Sequence, residues 1–201
     1  SSTYEATHAN TNNSTILTNL ETWYTNNLKT YESVIDDNVW CNDKTNVTDT
    51  TYNPWSYGGN ATGLGYGTNK TYYGATQRLV STSGSAGGTG PSLKCNGELS
   101  KISSKVGLIT ADELALAGYA FNISNTTTYL QENATDTYWW SLSPRSFNGG
   151  YAGVWGVGGS DGILNYIYVS NAFGLRPSIS LKSTTNATGN GTSDSPFIIS
   201  M

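Results

Sequence analysis

Two kinds of side chain alternate between residues 138 and 181, and this alternation constrains the fold more than any other feature. Strands send successive side chains to opposite faces, so the alternation predicts strands with one packed face and one displayed face. The bulky residues predicted to pack are Trp139, Trp140, Leu142, Phe147, Val154, Trp155, Val157, Leu164, Val169, Leu175, Ile179 and Leu181. The residues predicted to be displayed, which form the display set, are Gly153, Gly156, Gly158, Ser160, Ile163, Tyr166, Ile167, Tyr168, Ser170, Ala172 and Phe173.

The composition limits the classes of partner. Only 12% of the 201 residues are charged, and the formal net charge is -4. A nucleic acid or an anionic membrane surface is bound through clustered Lys and Arg, so neither partner is expected. The hydrophobic content of 36% is ample for a core. No run of about 18 apolar residues occurs, so no segment is predicted to insert in a membrane.

The beginning of the chain and its two cysteines bear on its location. The first residues are polar and lack the charged and apolar regions of an export signal, so we expect a fragment of a longer exported protein. In an exported protein Cys41 and Cys95 would pair, which would constrain the unfolded chain by about 4 kcal/mol. Two buried free thiols are the alternative. The richness in Asn, Thr and Ser favours the disulfide.

Local patterns predict two helices and a hairpin. Apolar residues recur at helical spacing over residues 14–28, with Ser14 as the N-cap. Thr110 and Glu113 form the pattern of a capping box, and the helix that follows should end at Gly118. Residues 151–158 and 163–170 are predicted to form a hairpin, with residues 174–181 as a third strand.

Weaker signals predict the remaining elements. Residues 31–37 are predicted to form a short helical turn, and residues 39–41 and 91–95 are predicted strands. Residues 45–90 and 122–136 are rich in turn formers and polar residues, so they should be largely irregular. Residues 186–195 should form a turn that leads to a closing strand at 197–199.

Catalytic and metal-binding arrangements are scarce. The only histidine is His8, close to the polar beginning of the sequence, so a Ser-His-Asp or Cys-His arrangement is not expected. Asp36, Asp37, Asn42 and Asp43 offer oxygen ligands for calcium, but a solvated turn beside Trp40 is the favoured explanation for them. No glycine-rich phosphate loop is present. The sequence therefore predicts no enzyme activity, no cofactor and no metal.

Several motifs carry a family resemblance. They are WWSLSP at 139–144, VWGV at 154–157, SDG at 160–162, GLRP at 174–177, WYTNNL at 23–28, VWCND at 39–43, PSLKC at 91–95 and GLITADELALAG at 107–118. With these motifs the chain resembles the C-type lectin-like domains of bacterial and phage surface proteins, among them the variable proteins of diversity-generating retroelements and the related formylglycine-generating-enzyme fold.

The resemblance implies a fold and a function. It implies an α+β, C-type lectin-like fold, in which two helices flank small antiparallel sheets with much irregular loop. Residues 1–201 would form a single domain whose variable display region spans about 138–181. The function implied is ligand binding at a bacterial or phage surface, with the display set as the binding residues and an extracellular or cell-surface location.

The resemblance to retroelement-diversified proteins also implies which residue types the display region should lack. In such proteins randomised adenines turn Asn codons into codons for many residues, but not for Lys, Glu, Gln, Met or Trp. Residues 150–173 contain none of these five except Trp155, which belongs to the predicted core. The chain lacks the E-P-N and Q-P-D tripeptides of calcium-dependent lectins, and no cysteine follows Cys95. Calcium-dependent sugar binding and formylglycine formation are therefore not expected.

Three classes of function remain open. The first is a receptor-like module for an unknown protein ligand, with Tyr166, Tyr168 and Phe173 as aromatic anchors. The second is a glycan-binding adhesin in which the same rings stack on sugars, and the third is an enzyme on the same fold. A simpler alternative is that these aromatics are ordinary strand residues. Arg176 is predicted to be a framework residue that pairs with a carbonyl or carboxylate beneath the display face.

Overall fold

The computed structural model describes residues 13–41, 43–56, 70–95, 104–132, 134–135, 137–148 and 151–200. The helices in these ranges are α1 (Thr15–Asn27), α2 (Gly74–Leu79), α3 (Ala111–Leu116) and α4 (Tyr129–Glu132), with a 3-10 helix at Lys29–Tyr31. The strands are β1 (Ile35–Asp36), β2 (Lys70–Tyr72), β3 (Trp139–Asn148), β4 (Tyr151–Val157), β5 (Leu164–Tyr168), β6 (Ser180–Leu181), β7 (Ala187–Thr188) and β8 (Ile198–Ile199).

The strands of the described residues form three small antiparallel sheets. The central sheet has four strands in the order β2-β3-β4-β5, and β1 pairs with β6 while β7 pairs with β8. The protein is therefore a mixed α and β molecule with few helices, in agreement with the predicted α+β class. None of the helices described here has the length and apolar character needed to cross a bilayer.

The predicted helix starts are confirmed. The Ser14 side chain accepts a hydrogen bond from the Leu17 amide at 3.1 Å. Both halves of the capping box form at α3, because the Thr110 hydroxyl accepts from the Glu113 amide and the Glu113 carboxylate accepts from the Thr110 amide. Gly118 ends this segment with a φ of +102°, a left-handed conformation that glycine adopts without a steric cost.

The central sheet is packed on both faces. The first core lies on one face, under α2 and α3, and contains Ala75, Leu79, Val80, Ala111, Leu114, Tyr119, Phe121, Trp139, Trp155, Val157 and Leu164. The second core includes residues of α1 and contains Leu20, Tyr24, Ile35, Val106, Leu108, Trp140 and Ile167. Trp155 in β4 pairs with Tyr166 in β5, so their side chains share one face. Ile167, which follows Tyr166, therefore points to the opposite face. The two cores thus sandwich the sheet.

Packing on both faces corrects the predicted division into core and display residues. Ile167, predicted to be displayed, is only 4% exposed in the second core. Gly156 and Gly158 are also buried, and a Cβ on Gly156 would lie 2.8 Å from the Trp139 carbonyl oxygen. Conversely, three residues predicted to pack are on the surface: Val169, Ile179 and Leu181 are 54%, 36% and 43% exposed. The display residues are buried because the sheet has two packed faces, whereas Val169, Ile179 and Leu181 are exposed because they lie at or beyond the ends of β5 and β6 and outside both cores.

Several predicted element boundaries are also wrong. Residues 39–41 and 91–95 are irregular rather than strands, and Val39 and Leu93 are exposed. Residues 31–37 contain the end of the 3-10 helix and a turn at 32–34, so the predicted helical turn is confirmed only in its first part, and β1 follows it. The predicted third strand at 174–181 is reduced to β6, with isolated pairings of Gly174 to Trp139 and of Ser178 to Gly107.

Other elements fall where irregular chain was predicted. Strand β2 and helix α2 lie within residues 45–90, and α4 lies within residues 122–136. Strand β7 lies within the predicted turn at 186–195. The closing strand is confirmed as β8, which pairs with β7. The hairpin predicted at 151–170 is confirmed as β4 and β5, which meet across a turn that contains Gly162.

Residues around the disulfide are held by ionic contacts. The predicted bond between Cys41 and Cys95 is present. Nearby, the Arg78 guanidinium binds Asp112 at 2.6 Å and Asp43 at 3.0 Å. Asp43 is buried in this ion pair, so it is not part of a solvated turn and its carboxylate is engaged by Arg78. Asn42 and His8 lie outside the described residues, within which no cluster of three or more His, Cys, Asp or Glu could hold a metal.

Candidate ligand-binding site

Three tyrosines lie at the exposed end of β4 and β5, on the face of the central sheet that carries the first core. In β4 and β5, Gly153 pairs with Tyr168 and Trp155 pairs with Tyr166, so these side chains share one face with Tyr151. The inner part of this face is buried at Trp155, whereas its outer end is exposed. Tyr151, Tyr166 and Tyr168 form the tyrosine patch at that end.

The rings of the tyrosine patch contact one another in a row. The ring centroids of Tyr151 and Tyr168 are 5.3 Å apart, and those of Tyr166 and Tyr168 are 5.4 Å apart with nearly perpendicular planes. Tyr151 is 63% exposed and Tyr168 is 37% exposed, while Tyr166 is half-buried. Gly153, which pairs with Tyr168, adds no side chain to this end of the face.

A buried arginine supports the patch from below. The Arg145 guanidinium carbon lies 4.2 Å from the Tyr166 ring centroid and 3.7 Å from that of Trp55. Arg145 is 2% exposed, and its Nη1 donates a hydrogen bond to the Ser146 hydroxyl at 3.0 Å. Cation–π contacts reach about 2 kcal/mol when desolvated, so this stack fixes the position of the Tyr166 ring.

An irregularity in β3 places Arg145 in this stack. The pairing of β3 with β4 shifts between Pro144 and Ser146, so Arg145 is the extra residue between them. A bulge of this kind redirects a side chain that regular alternation would send elsewhere. Arg145, Tyr151 and Trp55 were not predicted as site residues from the sequence. Pro144 in an otherwise strand-like run was the available signal, because proline in a strand marks an edge or a bulge.

The site is a surface rather than a pocket. The depression beside the tyrosine patch has a volume of only about 30 Å³, and its lining residues include Arg145, Ser146, Asn148, Tyr151 and Tyr166. This is the space of about one water molecule. A ligand at this surface would be held by the exposed ring faces and their surroundings, as in the contact surface of a protein or an extended chain molecule.

The structure brings only part of the display set together. The exposed members are Ser160, Tyr168, Ser170 and Ala172, the half-buried members are Ile163, Tyr166 and Phe173, and the buried members are Gly153, Gly156, Gly158 and Ile167. Ser170 and Ala172 belong to a continuous exposed stretch at 168–172, which begins within the tyrosine patch.

Phe173 does not join the two tyrosines that were predicted to act with it. Its ring packs against the rings of Tyr138 and Trp140, at centroid distances of 5.5 and 5.9 Å, on the side of the second core. Arg176 also differs from expectation. Its guanidinium carbon lies 4.9 Å from the Trp139 ring centroid, so an aromatic ring takes the place of the predicted carbonyl or carboxylate partner.

Comparisons with known proteins give no relative for this chain. No protein-family model, curated protein or solved structure matches it.

Proposed function

We propose that this chain is a ligand-binding display domain of a bacterial or phage surface protein. The exposed tyrosine patch at the outer end of the central sheet carries the proposal. Large, amphipathic tyrosine rings provide contact area at a low cost in conformational entropy, which is why binding loops of antibodies are rich in them. The adjoining exposed stretch at 168–172 enlarges the surface with small and polar side chains.

The support beneath the patch favours binding with little reorganisation. Tyr166 is fixed by Arg145, and Tyr168 packs on Tyr166. A surface ordered before its ligand arrives loses less entropy on association, and this improves affinity. The rings therefore have the rigidity of strand residues, although their exposed faces are available for contact.

The retroelement hypothesis gains support from the distribution of burial. In residues 150–173, Trp155 is the one residue that randomised Asn codons cannot produce. It is also 0% exposed in the first core, where a binding residue has no role. This distribution supports the proposal that the chain is a C-type lectin-like domain similar to the variable proteins of diversity-generating retroelements, with a framework at Trp155 and a diversifiable surface around it.

The disulfide supports an extracellular or cell-surface location for this domain. Disulfides such as Cys41–Cys95 persist in oxidising compartments and are rare where thiols are kept reduced. A ligand on another cell or on a phage particle would meet the tyrosine patch there.

A glycan-binding adhesin is the second candidate, and the exposure of Tyr151 favours it. An open tyrosine ring can stack on the apolar face of a sugar, and Asn148 beside it offers an amide for hydrogen bonds to sugar hydroxyls. The same residues would be used in both cases. The two candidates differ in the ligand class and not in the site.

Binding arrays distinguish the candidates. The protein would be applied to a glycan array and to an array of purified bacterial and phage surface proteins, beside the double variant Tyr151→Ala/Tyr168→Ala. The control is Tyr129→Ala, because Tyr129 is 76% exposed and lies outside the patch. We expect signal on the protein array that the double variant loses and the control keeps. Signal confined to glycans favours the adhesin, and signal that survives the double variant removes the tyrosine patch as the site.

A further inference from the structure

Strand β5 is the last strand of the central sheet, because the order β2-β3-β4-β5 leaves its outer edge without a paired strand among the described residues. Edge strands are commonly protected from further pairing by charged side chains, proline or a bulge. The sequence of β5, LNYIY, contains no charged residue and no proline, and its pairing with β4 is regular. The strand therefore lacks these three protections.

The direction of the backbone groups shows which positions of β5 lie on the outer edge. Alternate residues of a strand direct their N–H and C=O groups to opposite edges. The Ile163 carbonyl accepts a hydrogen bond from the Gly158 amide, so the odd-numbered residues of this segment face β4. The backbone groups of Leu164, Tyr166 and Tyr168 therefore face away from the sheet.

The two ends of this edge are already occupied by the chain itself. The Leu164 carbonyl accepts from the Asn122 amide at 3.2 Å, and Phe121 forms a parallel bridge with Leu164. The chain turns away from the edge at Asn122, which has a φ of +56°. At the other end the Tyr168 carbonyl accepts from the Asn171 amide at 3.0 Å. Extended backbone thus lies beside β5 at its start, and the middle position has no backbone partner among the described residues.

A side chain takes the place of a neighbouring strand at this middle position. The Asn165 Oδ1 accepts a hydrogen bond from the Tyr166 amide at 2.8 Å, and the Asn165 Nδ2 donates to the Asn122 Oδ1 at 2.9 Å. The Tyr166 carbonyl receives no hydrogen bond from the described residues. Such side-chain bonds compete with pairing between strands. A peptide that displaced the Asn165 amide would use both backbone groups of Tyr166.

We propose that the ligand of the tyrosine patch is an extended protein segment that adds a strand beside β5. This inference rests on the proposed function and selects a protein ligand over a glycan. One residue of the segment accepts from the Tyr166 amide in place of Asn165, and the segment donates an N–H to the Tyr166 carbonyl. Residues paired across strands have their side chains on one face, so the side chain opposite Tyr166 lies against the tyrosine patch.

A backbone scan of a bound peptide tests strand addition. The probe is the strongest binder selected from a random peptide library on the wild-type protein, synthesised with a single N-methyl group at each position in turn. We expect one methylated position to weaken binding about fivefold or more, because it removes the hydrogen bond to the Tyr166 carbonyl. The positions on either side should bind like the parent peptide, since their N–H groups face away from β5.

The outcomes distinguish this inference from the proposed function. If every methylated position binds equally, or if the library yields no binder, strand addition is overturned. The tyrosine patch would then still be judged by the array experiment, which uses whole proteins and glycans. Peptide binding that is unchanged in Tyr151→Ala/Tyr168→Ala would also overturn strand addition at this site.

Asn165→Ala gives a test from the side of the protein. The peptide no longer has to displace the Asn165 amide, so we expect its affinity to rise about threefold or more. The matched control is Asn27→Ala, which removes a side-chain bond to the Trp23 carbonyl in α1 and should bind like the wild type. Thermal melts identify the folded variants. Unchanged or weaker binding by folded Asn165→Ala would contradict the proposal, and the N-methyl scan on wild-type protein decides the matter if this variant does not fold.

Discussion

At the scale of single residues, exposure depends on position along a strand more than on the face of the sheet. Tyr166 and Trp155 pair directly and share a face, yet Trp155 is fully buried whereas Tyr166 is only half-buried. Ile167 lies on the other face and is buried too. Because both faces are packed, the residues that we propose as binding residues are those that lie beyond the edge of a core.

Two glycines of β4 test this account. Gly153→Ala has room, since its Cβ would lie 3.5 Å from the Ser146 carbonyl oxygen, so stability should change by no more than about 0.5 kcal/mol. Gly156→Ala would bring its Cβ within 2.7 Å of Ile167 and 2.8 Å of the Trp139 carbonyl oxygen, so it should cost about 1 to 3 kcal/mol. Urea denaturation measures both. Equal midpoints for the two variants would contradict the packing of Gly156.

Arg145 offers a second test at the residue scale. Arg145→Lys keeps the charge but loses the planar group that stacks between Trp55 and Tyr166, so we expect a loss of about 1 to 2 kcal/mol in the free energy of unfolding. Arg176→Lys is the control, because Arg176 has a single cation–π contact at 4.9 Å and should lose less. Thermal melts compare the two. A larger loss at Arg176 would show that the stack beneath the patch is not the stronger contact.

At the scale of elements, local signals were sufficient for some predictions and insufficient for others. Ser14, Thr110 and the glycine-containing turn at Gly162 act within a few residues, so the starts of α1 and α3 and the β4–β5 hairpin could be predicted. Strand β2 has only three residues and pairs with β3, which is distant in sequence, so no local pattern could reveal it. The irregular chain at 39–41 and 91–95 is joined by a disulfide rather than by strand pairing.

In the candidate site, too, some residues could be predicted from local sequence patterns and others could not. Tyr166 and Tyr168 could be predicted because the alternating pattern of their strand lies within a short stretch of sequence. Arg145 could not, because its position depends on a bulge in β3 and on contact with Trp55, which comes much earlier in the chain. Phe173 was misplaced for the related reason that α1 and the second core cover the other face of the sheet.

The capping box of α3 gives a prediction at the element scale. Thr110→Ala removes the hydroxyl that accepts from the Glu113 amide, so the free energy of unfolding should fall by about 1 kcal/mol. Thr110→Ser keeps an equivalent hydroxyl and should remain close to the wild type. Chemical denaturation of the two variants provides the measurement. If Ser and Ala destabilise equally, the hydroxyl is not what stabilises the start of α3.

At the scale of the whole molecule, the disulfide joins two irregular segments across a long stretch of chain. The double variant Cys41→Ser/Cys95→Ser opens a loop with a sequence separation of 54, which should lower the free energy of unfolding by about 4 kcal/mol. Wild-type protein treated with a reductant should lose a similar amount, whereas the double variant should not respond to the reductant. A wild-type melting temperature unaffected by reduction would contradict this contribution.

The central claim is that the tyrosine patch, with the adjoining stretch at 168–172, is the ligand-binding surface of this domain. Hydrogen–deuterium exchange with and without the strongest-binding protein or glycan from the arrays tests it most directly, because bound ligand slows the opening that exchange requires. We predict slower amide exchange at residues 151–153 and 166–172, and no such slowing in Tyr151→Ala/Tyr168→Ala. Protection confined to other described residues, or undiminished in the double variant, would contradict the claim.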